Sequence, residues 1–347
     1  MENKKKGFIC IAVTTLLFSS MEIALKFISG DFNPVQLTFS RFLVGGLVLL
    51  PFAVHALKEK GIRPDSRTLA RFALLGFIGI FISMIMYQLA VCNAKASVVA
   101  VLFSSNPVFV MFFAFILLSE PIMKNNIASL ALDILGILFI INPLETKISM
   151  AGIVFTILAT LTFALYGVMG KKQCAKFGGV VVTCFGFLFG AVEIMAAAAL
   201  THAAPVAGFM MSRGLVSFAD IPFFTGYSLS NIAVVLFVYV GVTGVGYASY
   251  FKAMEYTSAN TASLVFFFKP AIAPLFAFII LNETIPFNML AGIGFILVGS
   301  LVSIAPALLA ARTSAPAAAA PAETAEELIE EVGAELGEEE DYGEQVI

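Results

Sequence analysis

Long apolar runs dominate this chain and leave it few ways to fold. Ten segments of mostly apolar residues follow one another between short polar separators: residues 7–28, 34–56, 69–92, 96–118, 126–143, 149–170, 179–201, 230–252, 259–281 and 287–308. A helix of about 20 apolar residues crosses the hydrocarbon of a bilayer, and in lipid its backbone polar groups must be bonded internally. The pattern therefore predicts an all-α polytopic membrane protein with ten transmembrane helices.

Composition excludes other classes of protein. Hydrophobic residues make up 60% of the chain and charged residues only 12%, against about 25% charged in ordinary soluble domains. No basic stripe with interleaved aromatics is present, so nucleic acid is not expected as a partner. The four cysteines and two histidines form no metal-binding motif, and no phosphate-binding GxxxxGK[ST] sequence occurs. We expect no metal, no cofactor and no direct use of ATP.

Basic residues predict the orientation. With the N-terminus in the cytoplasm and ten spans, fourteen Lys and Arg residues fall inside and four outside, as the positive-inside rule requires. Both termini are then cytoplasmic in the cell (plasma) membrane. Residues 312–347 carry eleven acidic residues, and this low hydrophobicity and single charge sign predict a disordered acidic tail. Residues 202–229 are expected to form an outer loop partly at the interface.

The chain repeats itself. Residues 87–122 match residues 250–285 at an offset of 163, pairing Tyr87 with Tyr250, Pro107 with Pro270 and Glu120 with Glu283. The earlier part repeats at an offset of 145, where Phe18 meets Phe163 and Lys26 meets Lys171. We therefore predict two five-helix repeats, residues 1–147 and 148–311. Because five is odd, the second repeat is inverted in the membrane.

Inverted repeats are typical of secondary transporters, whose site lies near the bilayer midplane between the repeats. Duplication that only enlarges a helical bundle is the alternative. An intramembrane enzyme or a channel is a rival of another class, but the motifs of intramembrane catalysis and the charge rings or filter loops of channels are missing from the sequence. We do not expect an enzyme.

Specific motifs resemble one family. These are Phe18–Lys26, Asn33-Pro34, Arg41-Phe42, and the blocks Ala96–Glu120 and Ala259–Glu283. Over residues 7–305 the chain resembles the drug/metabolite transporter superfamily, and within it the bacterial EamA-type exporters. The resemblance implies a central cavity walled by the first four spans of each repeat. It also implies that the fifth and tenth spans stand apart, often at a homodimer contact.

Ionisable residues inside spans are costly, so they should face a cavity or a partner. Lys269 lies mid-span and predicts either a site for an anionic substrate group or a fixed ion pair. Glu22 has three alternatives: a salt bridge to Lys26 one turn away, a bridge to Arg41 forming an outer gate, or binding of a proton or substrate amine. Glu193 is a candidate partner for Lys269 or a proton carrier.

Other polar and proline residues complete the predicted site. Pro107, Pro270 and Pro274 should kink their spans, and the freed carbonyls can then line a cavity. Asn106 precedes the first kink and matches Lys269, while Tyr87 and Tyr250 offer hydrogen bonds near the cavity or anchor at the interface. Asp133 lies in the fifth span, where we expect a structural or dimer-contact role.

Together these patterns predict a secondary active transporter of small organic metabolites, such as amino acids, related compounds or toxic compounds. We expect an exporter that works by alternating access on a proton or substrate gradient. Its expected partners are the small-molecule substrate, the lipid bilayer, a coupling proton and a second copy of the chain.

Overall fold

Ten long helices make up most of the residues that the structure describes. The computed structural model describes residues 2–120, 122, 124–141 and 149–313. The helices are α1 Glu2–Ile28, α2 Pro34–Glu59, α3 Ser66–Asn93, α4 Ala96–Leu118, α5 Lys124–Ile141, α6 Met150–Phe177, α7 Gly179–Leu200, α8 Ile232–Tyr256, α9 Ala259–Leu281 and α10 Phe287–Thr313. Residues 1–303 form one compact unit, and the contacts below belong to it.

Eight of these helices are long and apolar enough to cross a membrane: all except α5 and α10. Within the described residues the apolar stretches of those two, Ile127–Ile140 and Phe287–Gly299, are shorter. Each of the ten predicted spans falls on one helix. The predicted repeat boundary at residues 147–148 and most of the predicted acidic tail, residues 314–347, lie outside the described residues.

Side-chain caps set the starts of the helices that follow polar separators. Asn33 accepts from the backbone N–H groups of Val35 and Gln36 at the start of α2. At α3, Asp65 accepts from the backbone N–H of Thr68 at 3.0 Å and from its hydroxyl at 2.5 Å. These bonds satisfy donors that a first turn leaves free. They also hold the pKa of the exposed Asp65 carboxyl below its ordinary value.

Two helices contain an irregular segment that composition did not predict. The backbone is π-helical at Phe77–Met84 in α3 and at Phe237–Gly246 in α8. In both segments the backbone hydrogen bonds run to the fifth residue back, and such segments are frequent at functional sites. Both segments precede the tyrosines of the predicted site.

Helices α4 and α9 are each interrupted. In α4 the helix stops at Phe103 and restarts at Asn106, directly before Pro107, which agrees with the predicted kink. In α9 the interruption lies at residues 263–264 instead. Pro270 and Pro274 are inside the continuous helix Val265–Leu281, so these prolines do not interrupt α9.

The same lysine-to-carbonyl contact occurs once in each half of the chain. The two lysines are related by the offset of 145, and the end carbonyls that they bind are related by the offset of 163. Lys26 of α1 donates to the carbonyls of Val91 and Ala94 at the end of α3, at 2.8 and 3.0 Å. Its counterpart Lys171 of α6 donates to the carbonyls of Met254 and Thr257 at the end of α8. Each lysine therefore neutralises the negative end of a neighbouring helix.

Helices α4 and α9 bind each other's first turns. Glu283, just after α9, accepts from the backbone N–H groups of Ala96 and Ser97 at 2.9 and 3.1 Å, and from the Ser97 hydroxyl at 2.6 Å. Glu120, just after α4, accepts from the Asn260 side chain at 2.6 Å. Because the end of each helix lies at the start of the other, α4 and α9 are antiparallel.

Helices α5 and α10 are also antiparallel and pack closely. Asn125 donates to the Val302 carbonyl, and Asn288 near the start of α10 donates to the Phe139 carbonyl. A Cβ on Gly136 would lie 2.7 Å from the Gly292 carbonyl oxygen, so small residues permit the contact. Asp133 is only 2% exposed, and a Cβ on Gly299 would lie 2.8 Å from its Oδ1. Asp133 is therefore buried within this helix pair.

The segment 202–229 covers the start of α2. It contains a short helix, Ala204–Ser212, and a 3₁₀ turn, Val216–Phe218. Asn33 donates to the Ser217 carbonyl at 3.0 Å, and Gln36 donates to the Thr225 carbonyl at 2.7 Å. The predicted outer loop is thus held to one end of the helices by side-chain hydrogen bonds.

Candidate functional site

A buried ion pair lies at the centre of the molecule. Lys269 Nζ of α9 is 2.5 Å from Glu22 Oε1 of α1, and both side chains are 0% exposed. Taking two charges out of water is expensive, and removing one partner of such a pair costs about 3–5 kcal/mol. The pair joins a helix of the first half of the chain to a helix of the second half.

Aromatic rings surround the ammonium group of Lys269. Its Nζ lies 4.9 Å from the Phe103 ring centroid and 5.9 Å from those of Tyr87 and Phe266. Ring faces are electrostatically negative and attract cations. The rings therefore favour a positive charge here, whether it belongs to Lys269 or to a ligand that displaces it.

These rings belong to a larger aromatic cluster. Its members contact one another at centroid distances of 4.9 to 6.3 Å and are Phe18, Tyr87, Phe103, Phe163, Tyr250 and Phe266. They form three pairs at the repeat offsets, Phe18 with Phe163, Tyr87 with Tyr250, and Phe103 with Phe266. Each half of the chain thus contributes three of these six rings, and Tyr247 of the second half adds a further ring, 4.8 Å from that of Phe18.

Arg41 of α2 adds a second buried cation. It is 0% exposed, its guanidinium lies 4.6 Å from the Phe42 ring centroid, and one nitrogen lies 3.7 Å from the Met21 sulfur. The other two nitrogens have no hydrogen-bond partner in the part of the chain that the structure describes. The expected Glu22–Arg41 bridge is absent, because Glu22 pairs with Lys269 instead.

The predicted Glu22–Lys26 salt bridge is also not formed. Lys26 donates to three backbone carbonyls at the end of α3, those of Val91, Cys92 and Ala94. Because its ammonium group is bound to these carbonyls, Lys26 does not pair with the Glu22 carboxylate. The i,i+4 spacing puts Glu22 and Lys26 on one face of α1. In the structure, however, Lys26 binds carbonyls of α3 and Glu22 pairs with Lys269 of α9.

Unpartnered polar atoms gather around the ion pair and the aromatic cluster. Among the described residues, the Tyr250 hydroxyl and the Asn106 carbonyl oxygen have no hydrogen-bond partner, although both residues are 0% exposed. Asn106 uses only its amide nitrogen, which donates to the Thr160 carbonyl at 3.3 Å. Buried polar atoms are nearly always satisfied in proteins. This group is therefore suited to binding a polar ligand or water.

Glu193 lies apart from this centre. It is half-buried on α7, one turn after Gly190, whose position packs against Ile80 of α3. Its Oε2 is buried without a hydrogen-bond partner among the described residues. The interpretation of Glu193 as the partner of Lys269 is corrected, since that partner is Glu22.

Six of the seven candidate residues are fully buried: Lys269, Glu22, Arg41, Asn106, Tyr87 and Tyr250. Sequence reasoning missed Phe103 and Phe266, which adjoin Lys269. Their spacing equals the repeat offset of 163, a signal that the sequence did contain. No group of three or more His, Cys, Asp or Glu residues that could hold a metal occurs among the described residues.

The arrangement can bind a small molecule with opposite charges at two ends. Lys269 and Arg41 can receive anionic groups, Glu22 can receive a cation or a proton, and the aromatic cluster supplies apolar surface. Tyr and Asn side chains with unused hydrogen-bonding atoms can fix its orientation.

Known proteins give independent comparisons. The EamA-like transporter family matches residues 5–142 and 150–305. An uncharacterized transporter of Clostridium kluyveri is 36% identical over 307 residues, which cover 86% of this chain and 93% of that protein. A protein of Rickettsia prowazekii named as an S-adenosylmethionine uptake transporter is 26% identical over 171 residues, covering 48% of this chain and 56% of the relative. One crystal structure aligns with a TM-score of 0.63 at 16% identity, covering 88% of this chain and 99% of the other, and shows a shared fold.

Proposed function

The chain belongs to the EamA-like transporter family, and on that premise we propose that it is a secondary transporter exporting small organic metabolites by alternating access. As a family member with eight helices, among the described residues, that are long and apolar enough to cross a membrane, it is an integral membrane transporter. The substrate class, the direction of transport and the transport mechanism are what we propose.

The proposed architecture is two inverted five-helix repeats, residues 1–147 and 148–311, with ten spans. Three observations support it. The family matches two successive stretches of the chain. The lysine contacts of α1 and α6 recur at both offsets. Helices α4 and α9, which match one another, are antiparallel, as an inverted repeat requires.

The observation that carries the proposed mechanism is the buried Glu22–Lys269 pair. A zwitterionic or anionic substrate competes with Glu22 for Lys269, and the freed carboxylate takes up the substrate's cation or a proton. The pair therefore breaks on binding and reforms on release, which prevents an empty transporter from exposing uncompensated charge. Unpartnered nitrogens of Arg41 give the anionic end a second contact.

Amino acids and related compounds are the proposed substrates, since they carry both charges that this centre can receive. Glu22 and Glu193 are the proposed proton carriers, so transport should respond to an imposed pH gradient; indifference to it would exclude proton coupling. The uptake activity named for the Rickettsia relative is opposite in direction to export, so the assay should measure transport in both directions.

The proposed location is the plasma membrane, with both termini in the cytoplasm. The distribution of basic residues supports this orientation. We also propose that the protein forms a homodimer.

The test removes both charges together. We expect Glu22→Gln combined with Lys269→Met to fold normally, because replacing a buried pair by neutral groups is often neutral in stability. Substrates are first found by thermal shift against amino acids, nucleobases and organic acids. Transport of a hit in proteoliposomes should then fall by about 10- to 100-fold, the value of a charge-assisted hydrogen bond.

Two further variants separate mechanism from structure. Asp133→Asn removes a buried carboxyl in the α5–α10 pair, and it should leave transport unchanged. The single variant Lys269→Ala should lose both transport and stability. Wild-type transport by the doubly neutral variant would show that the pair only holds helices together, and it would overturn the mechanism.

A further inference from the structure

A groove outside the central site is lined by two cations, Arg71 and Lys172. It has a volume of about 340 Å³ and is formed by α3, α4 and α6. Its lining includes Arg71 and Lys172, with Leu74, Leu117, Leu165 and Met169. No residue of the central site lines it, so the proposed transport mechanism leaves it unexplained.

The charges lie at one end of the groove. Arg71 lies near the start of α3, and Leu74 follows it one turn deeper; on α6, Lys172 lies near the end of the helix with Met169 one turn deeper. The start of α3 and the end of α6 are adjacent, since the Phe72 and Phe177 rings lie 5.5 Å apart. The groove is therefore cationic at its membrane-surface end and apolar along its depth.

Both cations are available to a ligand. Arg71 and Lys172 are exposed, and neither forms a hydrogen bond or ion pair with another described residue. No acidic side chain lines the groove. Leu74 is 48% exposed although it is a large apolar residue, as expected for a side chain that meets lipid.

We infer that this groove binds one anionic phospholipid, with the phosphate between Arg71 and Lys172 and an acyl chain along Leu74, Leu165 and Met169. Charge complementarity identifies the occupant, because basic pockets between helices at the membrane surface bind anionic headgroups. A zwitterionic lipid could fill the same apolar depth, but its ammonium group would offset the attraction. The inference stands independently of the proposed transport cycle.

The test measures lipid binding to the purified full-length protein by native mass spectrometry. Phosphatidylglycerol and phosphatidylcholine with identical acyl chains are titrated in parallel. The wild type should bind phosphatidylglycerol about tenfold more tightly, given two surface cations. Arg71→Ala with Lys172→Ala should abolish this preference, while Arg71→Lys with Lys172→Arg should retain it.

Matched variants identify the groove as the site. Lys58→Ala with Arg63→Ala removes two exposed cations that do not line the groove, and it should keep the preference. Leu165→Trp fills the groove without changing charge and should weaken binding of both lipids. Equal binding of the two lipids by the wild type, or an unchanged preference in the Arg71/Lys172 alanine variant, would overturn the inference. So would binding of glycerol phosphate as tight as that of the lipid, since the site would then recognise a free phosphate.

Discussion

Charged residues at the centre come unequally from the two halves of the chain. At the offsets of 145 and 163, Glu22 corresponds to Gly167, and Lys269 corresponds to Asn106. A Cβ on Gly167 would lie 3.2 Å from the Met254 methyl carbon and 3.4 Å from the Tyr250 hydroxyl, so side chains of α8 occupy the space beside Gly167, whereas its counterpart Glu22 carries a carboxylate. The six rings of the aromatic cluster therefore pair at the repeat offsets, whereas the charged residues beside them do not. A substrate with distinct ends can bind such a site in one orientation.

Lys26 gives a prediction at the scale of one residue. Its ammonium group donates to carbonyls of Val91, Cys92 and Ala94 at 2.8, 3.4 and 3.0 Å. Lys26→Met should destabilise the protein by about 2 kcal/mol, because charge-assisted hydrogen bonds and the helix-end charge are lost. Thermal unfolding in detergent measures the change.

The control for that variant is Lys95→Met. Lys95 is exposed and its Nζ donates to the Thr284 hydroxyl at 3.1 Å, so its removal should change stability by no more than about 0.5 kcal/mol. Equal unfolding temperatures for both variants would show that Lys26 contributes nothing through the end of α3.

For single residues, the sequence predicted correctly that the ionisable residues Lys269, Glu22 and Arg41 are buried. It did not predict which residues they contact. Lys269, Glu22 and Arg41 were recognised because an ionisable group inside a span needs compensation. Their partners depend on helix rotation, which hydrophobic patterns specify only weakly when helices are apolar on every side. Glu22 could be assigned to Lys26 or Arg41 from its position along the chain, but Lys269 reaches it from the other half.

Among the elements, the close pair α5–α10 depends on glycine. A Cβ on Gly292 would lie 2.6 Å from the Gly136 carbonyl oxygen and 2.5 Å from an Ile140 side-chain carbon. Gly292→Ala should therefore separate the helices and destabilise the protein by about 1–3 kcal/mol, as overpacking does. Chemical denaturation of the purified protein measures the loss.

The same helix supplies the control. A Cβ on Gly294 would meet nothing within 4 Å, so Gly294→Ala should be neutral within about 0.5 kcal/mol. If Gly292→Ala were equally neutral, the close approach of α5 and α10 would not contribute to stability.

The apolar runs predicted the approximate position of each helix, but not all of its ends: α3 begins at Ser66 rather than at residue 69, and α6 ends at Phe177 rather than at residue 170, because polar residues at the membrane surface continue both helices. Irregularities inside the helices did not follow from the sequence. The segments Phe77–Met84 and Phe237–Gly246 are π-helical. Both are apolar, and an apolar composition does not distinguish the hydrogen bonds of a π-helix from those of an α-helix. Pro270 and Pro274 are tolerated within one helix, since neighbouring helices can accommodate the freed backbone groups.

For the whole molecule, inversion of the repeats would place two matching segments on opposite sides of the membrane. The α2–α3 separator and the segment between α7 and α8 occupy matching places in the two halves. If the repeats are inverted, these places face opposite sides. With the basic residues on the cytoplasmic side, the first faces the cytoplasm and the second faces outward.

Single cysteines test this arrangement directly. Ser66 and Ser230 are exposed serines at these two places, and Cys10, Cys92, Cys174 and Cys184 would first be replaced by alanine or serine. A membrane-impermeant maleimide should label Ser230→Cys in right-side-out vesicles and Ser66→Cys in inside-out vesicles. Labelling of both from the same side would contradict the inversion, because matching parts of inverted repeats cannot share a face. Labelling from the two sides in reverse would keep the inversion and overturn the cytoplasmic placement of the termini.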